Sequence, residues 1–493
     1  MTIKAHVARG AFALGATRIV TNLASVGALI VLARLLTPED FGIVAIGTMI
    51  LGIVVALTEL SLGSALIQRT EVTDAHVDTA WTMAAIRALT ITGGFALAAW
   101  PLALLYDDPR LAPVFLVSGA TGALTGLVNP RIALQTKAMR FGPMLWLQLA
   151  QKLAGLAIAI ALALATHSYW AIVAGNALGA LLSTLMSYFV VPYRPRFTLS
   201  HARDLMGFSG WMFFSQVANV LTWRFDQLVI GLFLPRAQLG AYSVADNLSA
   251  IPSRETTTPI VQALFPGFSS MQGDPARLRK AYLTAQGAIG LLALPTGFGL
   301  GLLADPVVRL TLGERWLLAV PLVQVLACTY AIQTMTTGAR PLAMALGDTR
   351  ALFLRDIAGL VLRVALVTAG LAWDGMTGML WGRAAATVIG LNISFALARQ
   401  VLGISIAQQI WIHRRTLLAV AAMAGAVLAG DTALIERGAI PLVRIALLVP
   451  AGGLAFCTAL ALLWMIEGRR PGAETEVLGI ARGLLAKRAA ARG

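Results

Sequence analysis

Apolar runs long enough to cross a lipid bilayer recur along almost the whole chain. Residues 11–33, 42–66, 79–104, 112–134, 143–165, 168–191, 207–232, 240–265, 282–303, 317–337, 354–373, 375–398, 415–430 and 440–466 each read as one. A spanning helix needs about 20 mostly apolar residues. In lipid, only helices and closed barrels satisfy their own backbone polar groups. A barrel would show alternating segments of about ten residues, and none is present. The expected fold is therefore an all-α polytopic membrane protein with about 14 transmembrane helices. Composition agrees: 58% of residues are hydrophobic and only 12% are charged, with a mean hydropathy of +0.78. A soluble domain runs nearer 45–50% apolar and about 25% charged, which excludes a soluble enzyme, a nucleic-acid-binding protein and a disordered chain.

The formal net charge of +15 is mainly a matter of topology. With the N-terminus placed in the cytoplasm, the inner loops and tails hold 24 Lys and Arg residues and the outer loops hold six. That asymmetry satisfies the positive-inside rule. A single missing helix would invert every later loop, so an even number of spans is expected, with both termini cytoplasmic. The run from Ala11 to Leu36 follows Lys4 and Arg9 and is too long for a signal-peptide core; it reads as an uncleaved first span. The longest outer loop is expected at 304–316, so no soluble domain is inserted. Cys328 and Cys457 lie in apolar runs, which argues against a disulfide framework.

An internal repeat organises the spans. Leu36-Thr-Pro-Glu-Asp-Phe-Gly42 follows the first span, and Leu234-Pro-Arg-Ala-Gln-Leu-Gly240 follows the seventh. The offset is 198 residues, and at the same offset Ala65-Leu66 falls on Ala263-Leu264. Six spans separate the copies, so the repeat is parallel, a transporter architecture with the site between the halves. The expected organisation is an N-lobe at 1–200 (helices 1–6), a C-lobe at 201–404 (helices 7–12) and helices 13–14 at 405–466. The two six-helix lobes would be pseudo-symmetric around a central cavity. A basic tail at 467–493 is expected to be cytoplasmic.

More than three residues from a span boundary, eight basic residues remain inside the spans: Arg18, Arg87, Lys152, Arg224, Arg254, Arg363, Arg383 and Arg444. The acidic ones are Glu59, Asp226, Asp246 and Glu255. Each charge at mid-bilayer costs about 2.5–3.5 kcal/mol on insertion scales, so these groups are expected to face a wet interior. Helical spacing agrees. Ser215, Asn219, Thr222 and Asp226 share one face; so do Tyr242, Asp246, Ser249 and Ser253; so do Arg383, Thr387, Gly390 and Ser394. Arg18, Asn22 and Ser25 make a shorter stripe. Arg444, near a span end, is expected to snorkel. The other seven basic residues outnumber the four acidic ones, which favours an anionic ligand, and arginine's planar fork suits phosphate. The expected substrate-binding residues are Arg18, Arg87, Lys152, Arg224, Arg254, Arg363 and Arg383, with Asn22 and Asn219. Asp226, Asp246 and Glu59 are the candidates for ion coupling.

The segment Arg34-Leu-Leu-Thr-Pro-Glu-Asp-Phe-Gly42, followed by Leu62-Gly-Ser-Ala-Leu-Ile-Gln68, resembles the N-terminal signature of bacterial polysaccharide transporters. Pro259-Ile-Val-Gln-Ala-Leu-Phe-Pro266 and Leu312-Gly-Glu-Arg-Trp316 resemble later segments of the same group. These are oligosaccharide flippases of the multidrug/oligosaccharidyl-lipid/polysaccharide exporter superfamily, and the likeness is nearest to the colanic-acid exporters. The resemblance implies fourteen helices, a V-shaped cavity between two lobes and alternating access. It also implies an undecaprenyl-pyrophosphate-linked oligosaccharide as cargo, moved across the bacterial inner membrane for exopolysaccharide or lipopolysaccharide synthesis. The pathway's polymerase and chain-length regulator are its candidate protein partners, and no nucleic acid is expected. It supplies no catalytic motif, so the cavity residues rest on spacing and charge.

Two other functions compete. A membrane polymerase or glycosyltransferase would need a site such as Asp107-Asp108, but that pair sits in a short outer loop before Pro109 and reads as a solvated turn. A drug-cation exporter on the same fold would need an acidic cavity. No GxxxxGK[ST] phosphate loop is present and the five histidines are dispersed, so neither a cofactor nor a metal is expected, and the chain reads as a non-enzyme.

Overall fold

The computed structural model describes residues 3–59, 62–68, 71–138, 140–202 and 210–468. Among the described residues every regular element is helical. The basic tail lies outside them beyond Gly468.

The chain divides into two compact units, Met1–Gly240 and Ala241–Gly493. The first contains α1 (Ile3–Leu35), α2 (Pro38–Leu57), α3 (Leu62–Gln68), α4 (Asp74–Leu105), α5 (Leu111–Gly126), α6 (Arg131–Lys137), α7 (Gly142–Thr166), α8 (Trp170–Val190) and α9 (Gly210–Phe233). Helix α10 (Arg236–Ser269) begins in the first unit and continues into the second. The second unit also holds α11 (Pro275–Leu302), α12 (Ala304–Thr311), α13 (Ala319–Thr334), α14 (Ala339–Ala345), α15 (Thr349–Leu402), α16 (Ile406–Trp411), α17 (Arg414–Glu436) and α18 (Pro441–Ile466). Among the described residues, eight helices are long and apolar enough to cross a membrane, or nine if the bent pair α5–α6 is one span. Helices α9 and α10 are not among them, because charges dilute their apolar runs: Arg224 and Asp226 on α9, Asp246, Arg254 and Glu255 on α10.

Local chemistry explains several boundaries. Thr37 and Asp40 form a reciprocal capping box: the Asp40 N–H donates to Thr37 Oγ1 at 3.2 Å, and the Thr37 N–H to Asp40 Oδ2 at 2.9 Å. With Pro38 at the first helical position, the Thr-Pro-Glu-Asp motif is thus the start signal of α2. Helix α2 stops at Leu57, so the expected span 42–66 is interrupted before α3. The α5–α6 pair bends by 48° at Asn129-Pro130. There Asn129 is buried and donates its side-chain amide to the carbonyls of Ser187 (3.2 Å) and Val191 (2.6 Å), tying the bend to the end of α8.

Helix α15 is 54 residues long but is really two arms, 349–373 and 376–402, divided at Asp374 and Gly375. Gly375 has φ +53° and ψ −130°, a conformation that glycine adopts without a Cβ clash. The arms fold back on each other so closely that a Cβ on Gly370 would meet the Gly378 carbonyl oxygen at 2.1 Å, and a Cβ on Gly378 that of Gly370 at 2.1 Å. Small residues set helix spacing in the first unit too, where Gly155 on α7 faces Gly175 and Gly179 on α8. The second unit's apolar core joins Leu294, Ala331, Phe395, Ala419 and Leu448 from five helices.

Two expectations need correction here. Residues 304–316, expected as a loop, form α12 and a turn of 3₁₀ helix at Glu314–Trp316. Arg309 orders this segment by pairing with Asp305 (2.8 Å) and Glu314 (2.8 Å). Arg444 does not snorkel. It is buried, grips Asp431 with two hydrogen bonds (2.8 and 2.9 Å) and gives a third to Asp305 at 2.9 Å. A guanidinium held between two carboxylates inside the protein has no reason to reach for the membrane surface.

Candidate functional site

Within the first unit, Arg87 on α4 caps the broken end of α2. Its Nη2 donates to the Val55 carbonyl at 3.2 Å, its Nε to Thr58 Oγ1 at 3.2 Å, and its Nη2 pairs with Glu59 at 3.3 Å. A cation suits the negative end of a helix dipole. Helix α9 packs against α2, and the Arg224 guanidinium lies where Gly52 leaves room. A Cβ at Gly52 would be 3.2 Å from Arg224 Nε. Arg224 Nη1 also donates to Gln227 at 3.1 Å. On the same helix Ser215 and Asp226 are fully buried and Asn219 is half-buried. Arg18 and Asn22 are half-buried on α1, and Lys152 is exposed on α7.

Within the second unit, the Asp246 carboxylate is the centre of a cage. It accepts from Arg383 Nη1 at 3.0 Å and from Tyr330 Oη at 2.7 Å. Arg383 also donates to Tyr242 Oη. Its guanidinium lies 5.7 Å from the Tyr242 ring centre and 5.1 Å from that of Tyr330, within cation–π range. The cage joins α10, α13 and the second arm of α15. Tyr330 was missed in the sequence because no charged residue shares its span, although Gln333 and Thr334 at helical spacing marked a polar face. The predicted stripes face inward: Ser249, Ser253 and Ser394 are buried alongside Tyr242 and Arg383. Arg363 is buried on the first arm of α15. Arg254 is exposed and pairs only locally, with Glu255 at 3.2 Å.

These contacts redistribute the intramembrane charge. Arg87, Arg254 and Arg383 are each matched by an acid: Glu59, Glu255 and Asp246. In the second unit the buried Asp356 likewise pairs with Arg340 at 3.2 Å and lies 3.8 Å from Arg355.

The family described as "Polysaccharide biosynthesis protein" matches residues 31–321, more than half of the chain. The chain belongs to this family. Among curated relatives, it is 29% identical to the succinoglycan biosynthesis transport protein ExoT of Rhizobium meliloti (strain 1021), over 71% of this chain and 70% of that one. It is 25% identical to the lipopolysaccharide biosynthesis protein WzxC of Escherichia coli (strain K12), over 77% and 78% respectively. Among solved structures, the lipid II flippase MurJ in an inward closed conformation aligns with a TM-score of 0.73 at 14% identity, covering 91% of this chain and 98% of that one. An inward-facing multidrug resistance transporter of the MATE family aligns with a TM-score of 0.59 at 13% identity, over 78% and 96%. The fold is therefore the one these transporters share.

Proposed function

We propose that the chain is a flippase. It carries undecaprenyl-pyrophosphate-linked oligosaccharide repeat units from the cytoplasmic to the periplasmic leaflet of the bacterial inner membrane. It does so by alternating access between two lobes of six helices, 1–200 and 201–404, with 405–466 appended as helices 13 and 14. Both termini are cytoplasmic in this reading. The cargo crosses without a bond being made or broken, so the protein needs only to bind, neutralise and release.

The observation that carries the reading is the surplus of basic groups inside the helices of a chain from this family. Desolvating a pyrophosphate is costly, and guanidinium and ammonium groups already held within the membrane offset that cost. Arg18, Arg87, Lys152, Arg224, Arg254, Arg363 and Arg383 are the candidates for this role. Of these, Arg87, Arg254 and Arg383 would exchange a carboxylate partner for the phosphate. Asn22 and Asn219 would hydrogen-bond sugar hydroxyls. Asp226, Asp246 and Glu59 remain the candidates for a coupling ion. Relatives named for succinoglycan and lipopolysaccharide biosynthesis support the cargo class. The fold alone does not separate a flippase from a drug exporter, because MATE transporters share it; the sign of the internal charge favours the anionic cargo.

Deletion of the gene in its host tests the reading. Lipid-linked repeat units should accumulate on the cytoplasmic side while the surface polymer is lost. Normal surface polymer after deletion would overturn it.

A further inference from the structure

The two copies of the sequence repeat touch, and they touch reciprocally. Residues 38–42 form the first turn of α2, and residues 236–240 form the first turn of α10. The offset of 198 maps Pro38 on Arg236 and Gly42 on Gly240, and all four residues lie in the first unit. A Cβ at Gly42 would stand 2.1 Å from the carbonyl oxygen of Arg236. A Cβ at Gly240 would stand 1.7 Å from the carbonyl oxygen of Pro38 and 2.8 Å from the Gly42 nitrogen. Each glycine thus rests on the carbonyl four residues before the other one. Reciprocity of this kind is what a two-fold-related contact requires, and only glycine permits backbones to approach so closely.

One flank of this contact is polar, while Leu239 of the same turn is fully buried. Arg236 donates to the carbonyls of Gly231 (2.5 Å) and Tyr106 and lies 3.8 Å from Asp108. Arg110 pairs with Asp108 at 2.9 Å and with Glu39 at 2.8 Å, and Arg110 and Glu39 are both about half exposed. A cleft of about 440 Å³, lined by Tyr106, Asp108, Arg110 and Arg236, opens beside them. Parting an apolar interlock would cost about 25 cal/mol for every Å² exposed. The exposed Arg110–Glu39 pair is worth only about 0–1 kcal/mol, and a glycine-to-backbone contact has no side chains to withdraw. The contact can therefore close tightly, and neither the glycines nor that pair add much to the cost of parting it.

We infer that Gly42 and Gly240 are positioning residues of a releasable closure at the end of the molecule that the Lys and Arg count assigns to the periplasm. This rests on the flippase reading, in which that end must seal while cargo loads from inside and part to release it. An alanine at either position props the two turns apart. Because both glycines serve one contact, the two substitutions should act alike, and combining them should add little.

The test uses the full-length protein in its host, with Cys328 and Cys457 replaced by serine and a reporter cysteine at Ala237, in the same turn as Gly240. Labelling by a membrane-impermeant maleimide should rise roughly tenfold in Gly42→Ala and in Gly240→Ala, the change that a loss of about 1.4 kcal/mol produces. The double variant should label no faster than either single one. Gly93→Ala, with nothing within 4 Å of its added Cβ, should leave labelling unchanged. Unchanged labelling in the two variants, a rise in only one, or an additive double variant would overturn the assignment. A second measurement covers variants that fail to insert: a short thiol cross-linker between Asp108→Cys and Arg236→Cys should arrest export until it is reduced, and unaffected export would count against the closure. Raised labelling with normal distribution of lipid-linked repeat units would keep the closure and refute the flippase reading instead.

Discussion

Replacing Asp246 separates two roles that its position allows. The carboxylate accepts from Arg383 at 3.0 Å and from Tyr330 at 2.7 Å. The Arg383 side chain is 3% exposed and that of Asp246 is 21% exposed. Removing one partner of a buried pair costs about 3–5 kcal/mol, mostly as the penalty of the orphaned charge. The one-fifth exposure of Asp246 lets water reach the site, so Asp246→Ala should cost about 3 kcal/mol, at the low end of that range. In a unit of this size that corresponds to roughly 6–12 °C in thermal midpoint. Asp246→Asn keeps an oxygen acceptor but loses the charge and should cost less. Asp246→Leu combined with Arg383→Met should recover most of the loss, since replacing a buried pair by apolar groups is often near neutral. Thermal unfolding of the purified variants in one detergent, analysed as a double-mutant cycle, gives the coupling. If Asp246→Ala unfolds at the wild-type temperature, or the coupling is close to zero, the cage is not a structural tie. An export-dead but fully stable Asp246→Asn would instead make Asp246 an ion-coupling residue.

Three other perturbations follow from the contacts. Arg444→Ala leaves Asp431 without its cation and Asp305 with Arg309 alone, and should destabilise the protein by about 3 kcal/mol; unfolding midpoints of Arg444→Ala against Arg444→Lys check it, with lysine rescuing only in part because it cannot form the two-pronged contact. Arg87→Ala uncaps the broken end of α2 and should cost about 1–2 kcal/mol; protease sensitivity should rise near residues 55–59, and an unchanged cleavage pattern would contradict the cap. Burial would raise the carboxyl pKa of Asp305, but hydrogen bonds from Arg309 and Arg444 outweigh it and hold the group below its ordinary value. A depressed acid contributes stability above its unfolded pKa, about 3.9 for Asp, and loses it as pH falls through the lowered value. Acid unfolding should therefore be less steep below about pH 4 in Asp305→Asn, and an unchanged acid limb would refute the pairing.

Eight of the expected spans, or nine with the bent pair, were legible among the described residues because a helix in lipid must be apolar for its whole length, and that length is fixed by the bilayer. The start of α2 was legible as a motif, although its capping role emerges only from the Thr37–Asp40 geometry. The break after Leu57 was not legible, because the apolar pattern continues to residue 66 while the helix does not. The fold of α15 was nearly legible: Asp374-Gly375 separates the two expected spans, and the left-handed glycine turns the chain at that point. The charge pairings were out of reach. Asp246 and Arg383 are 137 residues apart, and Asp305 and Arg444 are 139 apart, so no local spacing announces them. Counting charges located bases inside the expected spans. It could not say that Arg383 is enclosed by two tyrosines while Lys152 stands exposed.

Reconstituted transport decides whether the internal bases carry the cargo. The purified protein would be placed in proteoliposomes with a fluorescent undecaprenyl-pyrophosphate-linked oligosaccharide, and the protected fraction followed with a membrane-impermeant quencher. The cargo should cross with the wild-type protein, and crossing should slow sharply when Arg18, Arg224 and Arg363 are replaced by glutamine in a protein that remains folded. Equal crossing in protein-free liposomes, or full activity in the triple variant, would contradict it.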